Sequence, residues 1–468
     1  MKVDARFPLD SYVHSKSTET HLVLSLTAPA VDWQAKRAPV FVLPVIDVSP
    51  SMEGNKIEYA KKSAIKLIDN LKPGDYCGLV TFSGTAETIF VPQEMTQSKK
   101  DALKAKVGEL RLVSATNLGA GMLEAFQHAN RKDLPENMIR RIIVLTDGDA
   151  NTGVTGRDAL LKLLQANIGT ATMSAFGYGS DAKQETLADL AKAGNGNYAF
   201  IRNAEDALSA FAKELGGLLS VYAQNLCVEL WPHQGHKLLE VVSDVESTDE
   251  KDHLRIKFPE LMGEETRHLV LKVQLTEQSQ ALPRPLNVAD LKLTYDRLDE
   301  QMHKSTETVE QKIKVQFAKT VEATVLPNAE VMEIIGLAEM VRAQIEAEEL
   351  AKTGNYAGAS SRMGVTRSFF ENNGLHKFGT LADSFAMKMN SSAAYAANSV
   401  YLASSKSVLT RNMGTSAADA NVLADFSGTS QIIAGTFQNS AQESNPLSFP
   451  TLHRLPAYDH SSHHHHRT

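Results

Sequence analysis

Cysteine is scarce in this chain, which has only Cys77 and Cys227 among its 468 residues. The two lie far apart, each inside an apolar run with strand-like character, which is typical of inert buried thiols. Secreted chains of this length usually carry several disulfides, so the scarcity argues against a disulfide framework. We therefore expect a reducing compartment and a cytoplasmic location.

Long apolar runs are also missing. No segment approaches the roughly 20 apolar residues that a helix needs to cross a bilayer, so we expect no membrane span. The N-terminal residues lack the apolar core of a signal peptide. The net charge is −7, which argues against a surface evolved to neutralise nucleic-acid phosphates.

Several chemistry-bearing motifs are absent as well. The sequence contains no Gly-rich loop for nucleotide phosphates and no zinc-ribbon cysteine pairs. It also lacks the G-x-S-x-G turn that presents a nucleophilic serine. The sequence therefore predicts a protein that is not an enzyme and needs no nucleotide cofactor.

What the chain does contain is a regular alternation of buried strands and amphipathic helices. The nearly all-apolar run Val40–Ile46 is typical of a strand covered on both faces. Helical spacing of apolar residues follows in Asn55–Leu71. Further buried runs at Tyr76–Phe82, Arg141–Thr146 and Thr170–Phe176 continue the alternation. This rhythm predicts an α/β fold with a doubly wound, mainly parallel sheet.

The pattern changes near Ser220, where short alternating runs separated by polar turns predict an antiparallel β-sandwich. His21–Ala28 alternates in the same way but lies before the α/β region, after a polar N-terminal arm. We infer that this strand joins the sandwich, which makes the α/β domain an insertion. The predicted organisation is an arm and strand (1–36), an α/β domain (37–219), a β-sandwich (220–326), a helical region (327–409) and a largely disordered tail (410–468).

Three oxygen-rich loops are predicted to meet at one edge of the α/β sheet. The first is Asp47–Ser51, where a buried strand ends and a helix begins. Thr116 precedes the helix that starts at Leu118, and Asp147 follows the strand Arg141–Leu145. Because ligands of open α/β sheets bind at the carboxyl ends of the strands, we expect these side chains to converge.

Five oxygens from three loops suit a hard divalent cation. Mg²⁺ favours six oxygen ligands, keeps some of its waters and takes few direct carboxylates. The hydroxyls of Ser49, Ser51 and Thr116 are candidates for direct ligands, whereas Asp47 and Asp147 are candidates for contact through water. Two carboxylates balance the charge of the ion, so one position can still accept an external carboxylate. Mg²⁺ is the expected ion, with Mn²⁺ and Ca²⁺ as alternatives.

The segments DVSPSM, SATNLGAGM and IVLTDGDANTG, in this order, resemble the metal-ion-dependent adhesion site of von Willebrand factor A (VWA) domains. The resemblance covers roughly Arg37–Gly217. The sandwich and helices look like those of bacterial VWA proteins related to calcium-activated chloride channels and inter-alpha-trypsin inhibitor heavy chains. The resemblance implies that a partner's Asp or Glu completes the metal coordination. The residues that it assigns to the metal are Asp47, Ser49, Ser51, Thr116 and Asp147.

Some residues of these motifs have other interpretations. Ser49 and Ser51 are suitable caps for the N-terminus of the helix that follows them. The segment after Asp147 begins like an EF-hand loop but has Thr152 where glycine is needed, so we interpret Asp149 as a loop residue that adds negative potential. Pro50 stands where bacterial relatives usually have glycine. It stiffens the loop, and we expect altered ligand affinity without loss of the metal.

The sequence thus predicts a non-enzymatic, Mg²⁺-dependent protein-binding module whose open metal position accepts a partner's carboxylate. One alternative is an accessory subunit of an AAA-type ATPase, as many cytoplasmic VWA proteins appear in that role. Another is a structural protein that assembles through its C-terminal helices and tail. Co-purification of an ATPase tests the first alternative, and light scattering of a chain truncated after Phe317 tests the second.

Overall fold

The computed structural model of the protein describes residues 1–30, 37–148, 150–179, 184–233, 235–299, 301–322, 324–398 and 402. These residues form a helix-flanked sheet, a β-sandwich and a C-terminal group of helices. No helix within these ranges is both long and apolar enough to span a membrane. The predicted disordered tail (410–468) and the predicted role of Asp149 lie outside the described residues.

The N-terminal segment is more ordered than the sequence suggested, because strands occupy most of the expected polar arm. β1 pairs with β3 in antiparallel register from Lys2↔Thr27 to Arg6↔Val23. In β2, Tyr12 is buried in the sandwich core. Strands this short carry too little local pattern to be recognised, since their stability comes from partners distant in sequence. The strands are β1 (Lys2–Arg6), β2 (Ser11–Val13) and β3 (Thr18–Thr27).

The α/β domain follows β3 and has the predicted doubly wound sheet. Its strand order is β6-β5-β4-β7-β8-β9, and all neighbours are parallel except the edge strand β6. Helices α1, α2 and α6 pack on one face, and α3, α4 and α5 pack on the other. The elements are β4 (Val40–Asp47), α1 (Asn55–Asp69), β5 (Tyr76–Phe82), β6 (Ala86–Glu94), α2 (Gln97–Gly108), α3 (Leu118–Ala129), β7 (Ile139–Thr146), α4 (Arg157–Asn167), β8 (Thr172–Tyr178), α5 (Gln184–Ala193), β9 (Asn195–Ile201) and α6 (Ala204–Leu219).

Packing in this domain depends on the continuous apolar strands at its centre. All eight residues of β4 are buried, as expected for a strand covered on both faces. Helix α3 approaches the sheet at Gly121, where a Cβ atom would lie 2.6 Å from the ring of Phe82. Only glycine permits this approach. The first and fourth strands of the domain, β4 and β7, therefore lie side by side under closely packed helices.

Two antiparallel sheets make up the sandwich, in the orders β1-β3-β14-β11 and β12-β13-β10-β15-β16-β2, the last pair alone being parallel. Strand β3 pairs with β14 along ten residues, so the strand predicted near His21 does join the sandwich. The sequence missed β12, whose four residues are all exposed. The strands are β10 (Val221–Pro232), β11 (Lys237–Val241), β12 (Glu246–Asp249), β13 (Leu254–Met262), β14 (Thr266–Leu275), β15 (Leu286–Leu298) and β16 (Lys304–Ala318).

Helices α7 (Ala329–Lys352), α8 (Tyr356–Asn372) and α9 (His376–Lys388) form a third unit, which covers the outer face of the smaller sheet. Glu339 of α7 is buried there and lies 3.1 Å from His21 of β3. Burial disfavours its charged form, but His21, Arg342 and Lys272 surround it and hold its pKa below the usual value. The ionised glutamate thus joins the helices to the sandwich.

A buried ion cluster joins the α/β domain to the sandwich. Arg141, near the start of β7, pairs with Glu214 of α6 and with Glu260 of β13. Ser174 and Asn197 donate further hydrogen bonds to Glu214, at 2.7 and 2.6 Å. Burial alone would lower the pKa of Arg141, but the two carboxylates more than offset it, so the pKa is raised. The guanidinium therefore stays charged inside the interface.

Candidate metal centre

The candidate site lies where β4 and β7 end side by side. The parallel register runs from Val40↔Ile139 to Ile46↔Leu145. It brings Asp47, the last residue of β4, next to Thr146, the last residue of β7. The Thr146 hydroxyl donates a hydrogen bond of 2.5 Å to Asp47 Oδ2. The strand order reverses at this pair of strands, which is where open α/β sheets bind ligands.

Asp47 is fully buried and held from both sides. Its Oδ1 accepts the Ser49 N–H at 2.8 Å, while its Oδ2 accepts the Thr146 hydroxyl. Burial raises the pKa of Asp47 to about 6, and the nearby charge of Asp147 contributes in the same direction. The two carboxylates therefore lie close enough to repel each other.

The two serines of the first loop face each other. A short 3-10 helix, Pro50–Met52, follows Ser49 and places Ser49 Oγ 2.9 Å from Ser51 Oγ. Ser49 precedes the 3-10 helix but its side chain makes no capping hydrogen bond there, and α1 begins at Asn55 after Gly54 with no side-chain cap. The capping interpretation is therefore wrong, and both hydroxyls belong to the loop beside Asp47.

Thr116 is buried in a loop that its neighbours hold by backbone contacts. The Thr116 N–H donates to Asn151 Oδ1 at 2.9 Å, and the Asn151 N–H donates to the Thr116 carbonyl at 3.0 Å. The preceding Ala115 has φ +68°, a conformation that non-glycine residues adopt only when the surroundings enforce it. The loop is thus fixed directly against the segment that follows Asp147.

Asp147 is the least satisfied group at the site. It is 1% exposed, and its Oδ2 lies 3.3 Å from the Lys56 ammonium. Its Oδ1 is buried with no hydrogen-bond partner among the described residues. Gly148, at φ +84°, turns the chain immediately afterwards and donates its N–H to the Thr146 hydroxyl at 3.1 Å. A buried carboxylate oxygen left in this state costs folding free energy unless a ligand satisfies it.

The donor chemistry fits a hard divalent cation. Direct contacts link Ser49 to Asp47 and to Ser51, and Thr146 connects the ends of both strands. The Thr116 loop is hydrogen-bonded to Asn151, which follows Asp147 by four residues. Within the described ranges, no group of three or more His, Cys, Asp or Glu side chains could hold a metal. A set with two carboxylates and several hydroxyls matches Mg²⁺ better than a closed carboxylate site for Ca²⁺ or a zinc site. Direct ligation by each of the five residues stays a prediction.

Two residues of the site escaped the sequence interpretation. Thr146 orients Asp47, and Lys56 contacts both Asp147 Oδ2 and the Ser51 carbonyl, the latter at 3.0 Å. Thr146 lies inside the IVLTDGDANTG motif, so its position next to Asp147 was a usable signal. Lys56 is one of many lysines on α1, and its sequence context does not distinguish it.

Comparison with known proteins identifies the family of the α/β domain. Residues 42–214 match the family model of the von Willebrand factor type A domain. Human inter-alpha-trypsin inhibitor heavy chain H1 is 32% identical over 194 residues, which are 40% of this chain and 21% of the heavy chain. The pig protein of the same name is 35% identical over 159 residues, covering 32% of this chain and 18% of its own length. This chain thus spans about a fifth of these relatives.

Solved structures extend the similarity beyond the α/β domain. A von Willebrand factor type A protein from Catenulispora acidiphila superposes with a TM-score of 0.62 at 20% identity, covering 81% of this chain and 88% of its own. The ArnB paralog VWA2 from Sulfolobus acidocaldarius has a TM-score of 0.53 at 17% identity, covering 87% of this chain and 98% of its own. At these identities the similarity concerns the fold, and it includes the sandwich as well as the α/β domain.

Proposed function

We propose that this chain, whose residues 42–214 form a VWA domain, is a non-enzymatic, divalent-metal-dependent protein-binding module. The observation that carries the proposal is the buried Asp147 Oδ1, which has no partner within the described part of the chain. The described residues leave this oxygen unsatisfied beside a second buried carboxylate. A bound cation would satisfy the oxygen and remove the repulsion between the two carboxylates.

Each site residue has a definite part in this proposal. Asp47, Ser49, Ser51, Thr116 and Asp147 hold the cation, with Mg²⁺ as the expected ion. The ion supplies an electrophilic position at which a partner's Asp or Glu carboxylate binds. Thr146 and the Ser49 N–H keep Asp47 in place. Lys56 holds Asp147 Oδ2 and lowers the local negative charge, which assists the approach of an anionic partner.

The hydroxyl groups favour binding over catalysis. A serine nucleophile needs a base that takes its proton. The Ser49 hydroxyl contacts Ser51 Oγ and the Asp47 carboxylate, and both of these groups are assigned to the cation in this proposal. VWA domains are a family of protein-interaction modules, and the match to that family points the same way. The partner of this chain is therefore expected to be a protein with an accessible acidic side chain.

Affinity capture from the native cell with Mg²⁺ and with EDTA tests the proposal. Proteins retained with Mg²⁺ and released by EDTA should be lost when the bait carries Asp47→Ala. Asp10→Ala is the matched control, because Asp10 is exposed and lies in the N-terminal segment. Calorimetric titration of Mg²⁺ alone should show binding to the wild type and to Asp10→Ala only. Binding of Mg²⁺ and of partners that survives Asp47→Ala would refute the assignment.

A further inference from the structure

An apolar rim lies immediately beside the candidate metal centre. Val113, in the loop between α2 and α3, donates its N–H to the Val48 carbonyl at 2.7 Å. Val48 lies between Asp47 and Ser49, so this hydrogen bond fixes Val113 next to the site. The Val113 side chain is 53% exposed. Pro50, in the loop between the two serines, is exposed as well.

The helices next to this rim form a basic face on an acidic protein. Together α1 and α2 contain eight lysines and three acidic residues, Glu58, Asp69 and Asp101, and two further acidic residues, Glu53 and Glu109, flank them, whereas the whole chain has a net charge of −7. Glu58 pairs with Lys61, and Glu109 pairs with Lys106. Asp69 and Asp101 both lie beside Lys104. Lys62 and Lys99 form no ion pair within the described ranges. The lysine face consists of Lys56, Lys61, Lys62, Lys66, Lys99, Lys100, Lys104 and Lys106.

This face begins at the site itself. Lys56, in the first turn of α1, lies 3.3 Å from Asp147 Oδ2. Lys100, at the other end of α1, donates to the carbonyls of Asp69 and Leu71 at 2.9 and 2.6 Å. The contacts show that α2 starts beside the end of α1, and its own end leads into the Val113 loop. The lysines therefore line a path about 20 Å long that leads away from the candidate metal centre.

We propose that the partner is an acidic polypeptide that rests an apolar side chain on Val113 and continues over the lysine face. This inference rests on the proposed function, in which one carboxylate of the partner binds the metal. The residue next to that carboxylate then reaches the apolar rim, because Val113 is tied to the loop that contains Asp47 and Ser49. Further carboxylates of the partner complement the lysines, which steers its approach and fixes its direction.

Four synthetic peptides of about a dozen residues test the inference by fluorescence anisotropy in Mg²⁺ and in EDTA. The first has Glu-Leu at its centre and acidic flanks, and the second replaces the leucine with serine. The third keeps Glu-Leu but has uncharged flanks, and the fourth replaces every carboxylate with its amide. We expect the first to bind tightest, the second and third about fivefold more weakly each, and the fourth not at all.

Matched variants distinguish the contributions of Val113 and of the lysine face to peptide binding from general effects of substitution. Val113→Ser should weaken the first peptide about fivefold and leave the second unchanged. Val91→Ser is the control, since Val91 of β6 is equally exposed, at 55%. Lys62→Gln/Lys99→Gln should weaken the first peptide and leave the third unchanged. The exposed pair Lys251→Gln/Lys314→Gln in the sandwich is the corresponding control. All four variants should bind Mg²⁺ like the wild type.

The outcomes distinguish this inference from the proposed function. If no peptide requires Mg²⁺ for binding, the proposed function fails. If binding requires Mg²⁺ but ignores both the leucine and the flanks, the proposed function stands and the acidic, apolar partner is ruled out. That partner is equally ruled out if Val113→Ser behaves like Val91→Ser with every peptide.

Discussion

Buried carboxylates at the two edges of the parallel sheet differ in how far the chain pairs and hydrogen-bonds them. At the edge where the strands begin, Asp75 is fully buried and accepts four hydrogen bonds. Two come from the Arg37 guanidinium, at 2.7 and 2.5 Å, and two from backbone N–H groups, at 3.1 and 2.8 Å. At the edge where the strands end, Asp47 and Asp147 repel each other. There Asp147 Oδ1 has no partner among the described residues.

This difference in pairing distinguishes a carboxylate with a structural role, Asp75, from carboxylates that are available to a ligand, Asp47 and Asp147. A buried carboxylate that its own chain pairs and hydrogen-bonds needs no external ligand, and removal of its partner is strongly destabilising. A buried carboxylate that its chain leaves unsatisfied costs stability, and proteins keep such groups mainly at functional sites. The edge where the strands begin therefore contains a carboxylate paired within the chain, whereas the edge where they end contains the carboxylates that we propose bind a cation.

The largest expected change in stability comes from the edge where the strands begin, at the ion cluster of Arg141. Arg141→Met should lower the free energy of unfolding by about 3–5 kcal/mol, because the buried Glu214 and the half-buried Glu260 lose their counter-charge. Denaturant-induced unfolding measures the loss. Arg157→Met is the control, because Arg157 is 40% exposed and its ion pairs with Asp158 and Asp189 are worth about 1 kcal/mol or less. Equal effects of the two substitutions would contradict a structural role for the ion cluster.

Metal binding provides the next test, now at the other edge. Mg²⁺ at 100 times its dissociation constant should stabilise the protein by about 2.7 kcal/mol, since it binds only the folded state. Thermal unfolding in MgCl₂ and in EDTA, at equal ionic strength, measures the gain. Asp147→Asn should abolish it, whereas Asp133→Asn, at an exposed carboxylate, should retain it. If the wild-type protein unfolds at the same temperature in MgCl₂ and in EDTA, the proposed metal site at the edge where the strands end is contradicted.

The smallest expected change is an increase in stability. Asp47→Asn should raise the stability of the metal-free protein by about 1 kcal/mol, because it removes a desolvated charge that Asp147 repels. Asp75→Asn should instead destabilise the protein, since Arg37 would lose its counter-charge. Unfolding in EDTA compares the two substitutions directly. Losses of equal size in both would mean that the two edges do not differ in the way proposed.

Sequence reasoning located the candidate site because its anchors are local. Asp47 and Asp147 each follow a buried apolar run, and the end of such a run can be identified without knowing the fold. The order of the motifs then placed both at the same edge of a doubly wound sheet. The match of residues 42–214 to the VWA family model confirms the kind of domain, whereas the metal ligands stay a prediction. The cytoplasmic location stays a prediction.

Other features depend on contacts that no local pattern encodes. Arg141 meets Glu260 across 119 positions of sequence, and neither residue is unusual in its own segment. The Lys56 contact with Asp147 depends on the exact course of a short 3-10 helix. Strand β12 exists because β13 offers it a pairing edge, although its own residues are all exposed. In each case the tertiary structure selects one conformation among several that the local sequence permits.

The insertion of the VWA domain between β3 and β10 has a mechanical consequence. The polypeptide crosses between the two domains twice, and both crossings are anchored in the same sandwich. A pulling force applied by a partner at the candidate metal centre would be shared by the two chain connections to the sandwich. With a single connection, the domain could swivel about one linker, whereas two anchored connections resist torsion and transmit a pull into the strands of the sandwich.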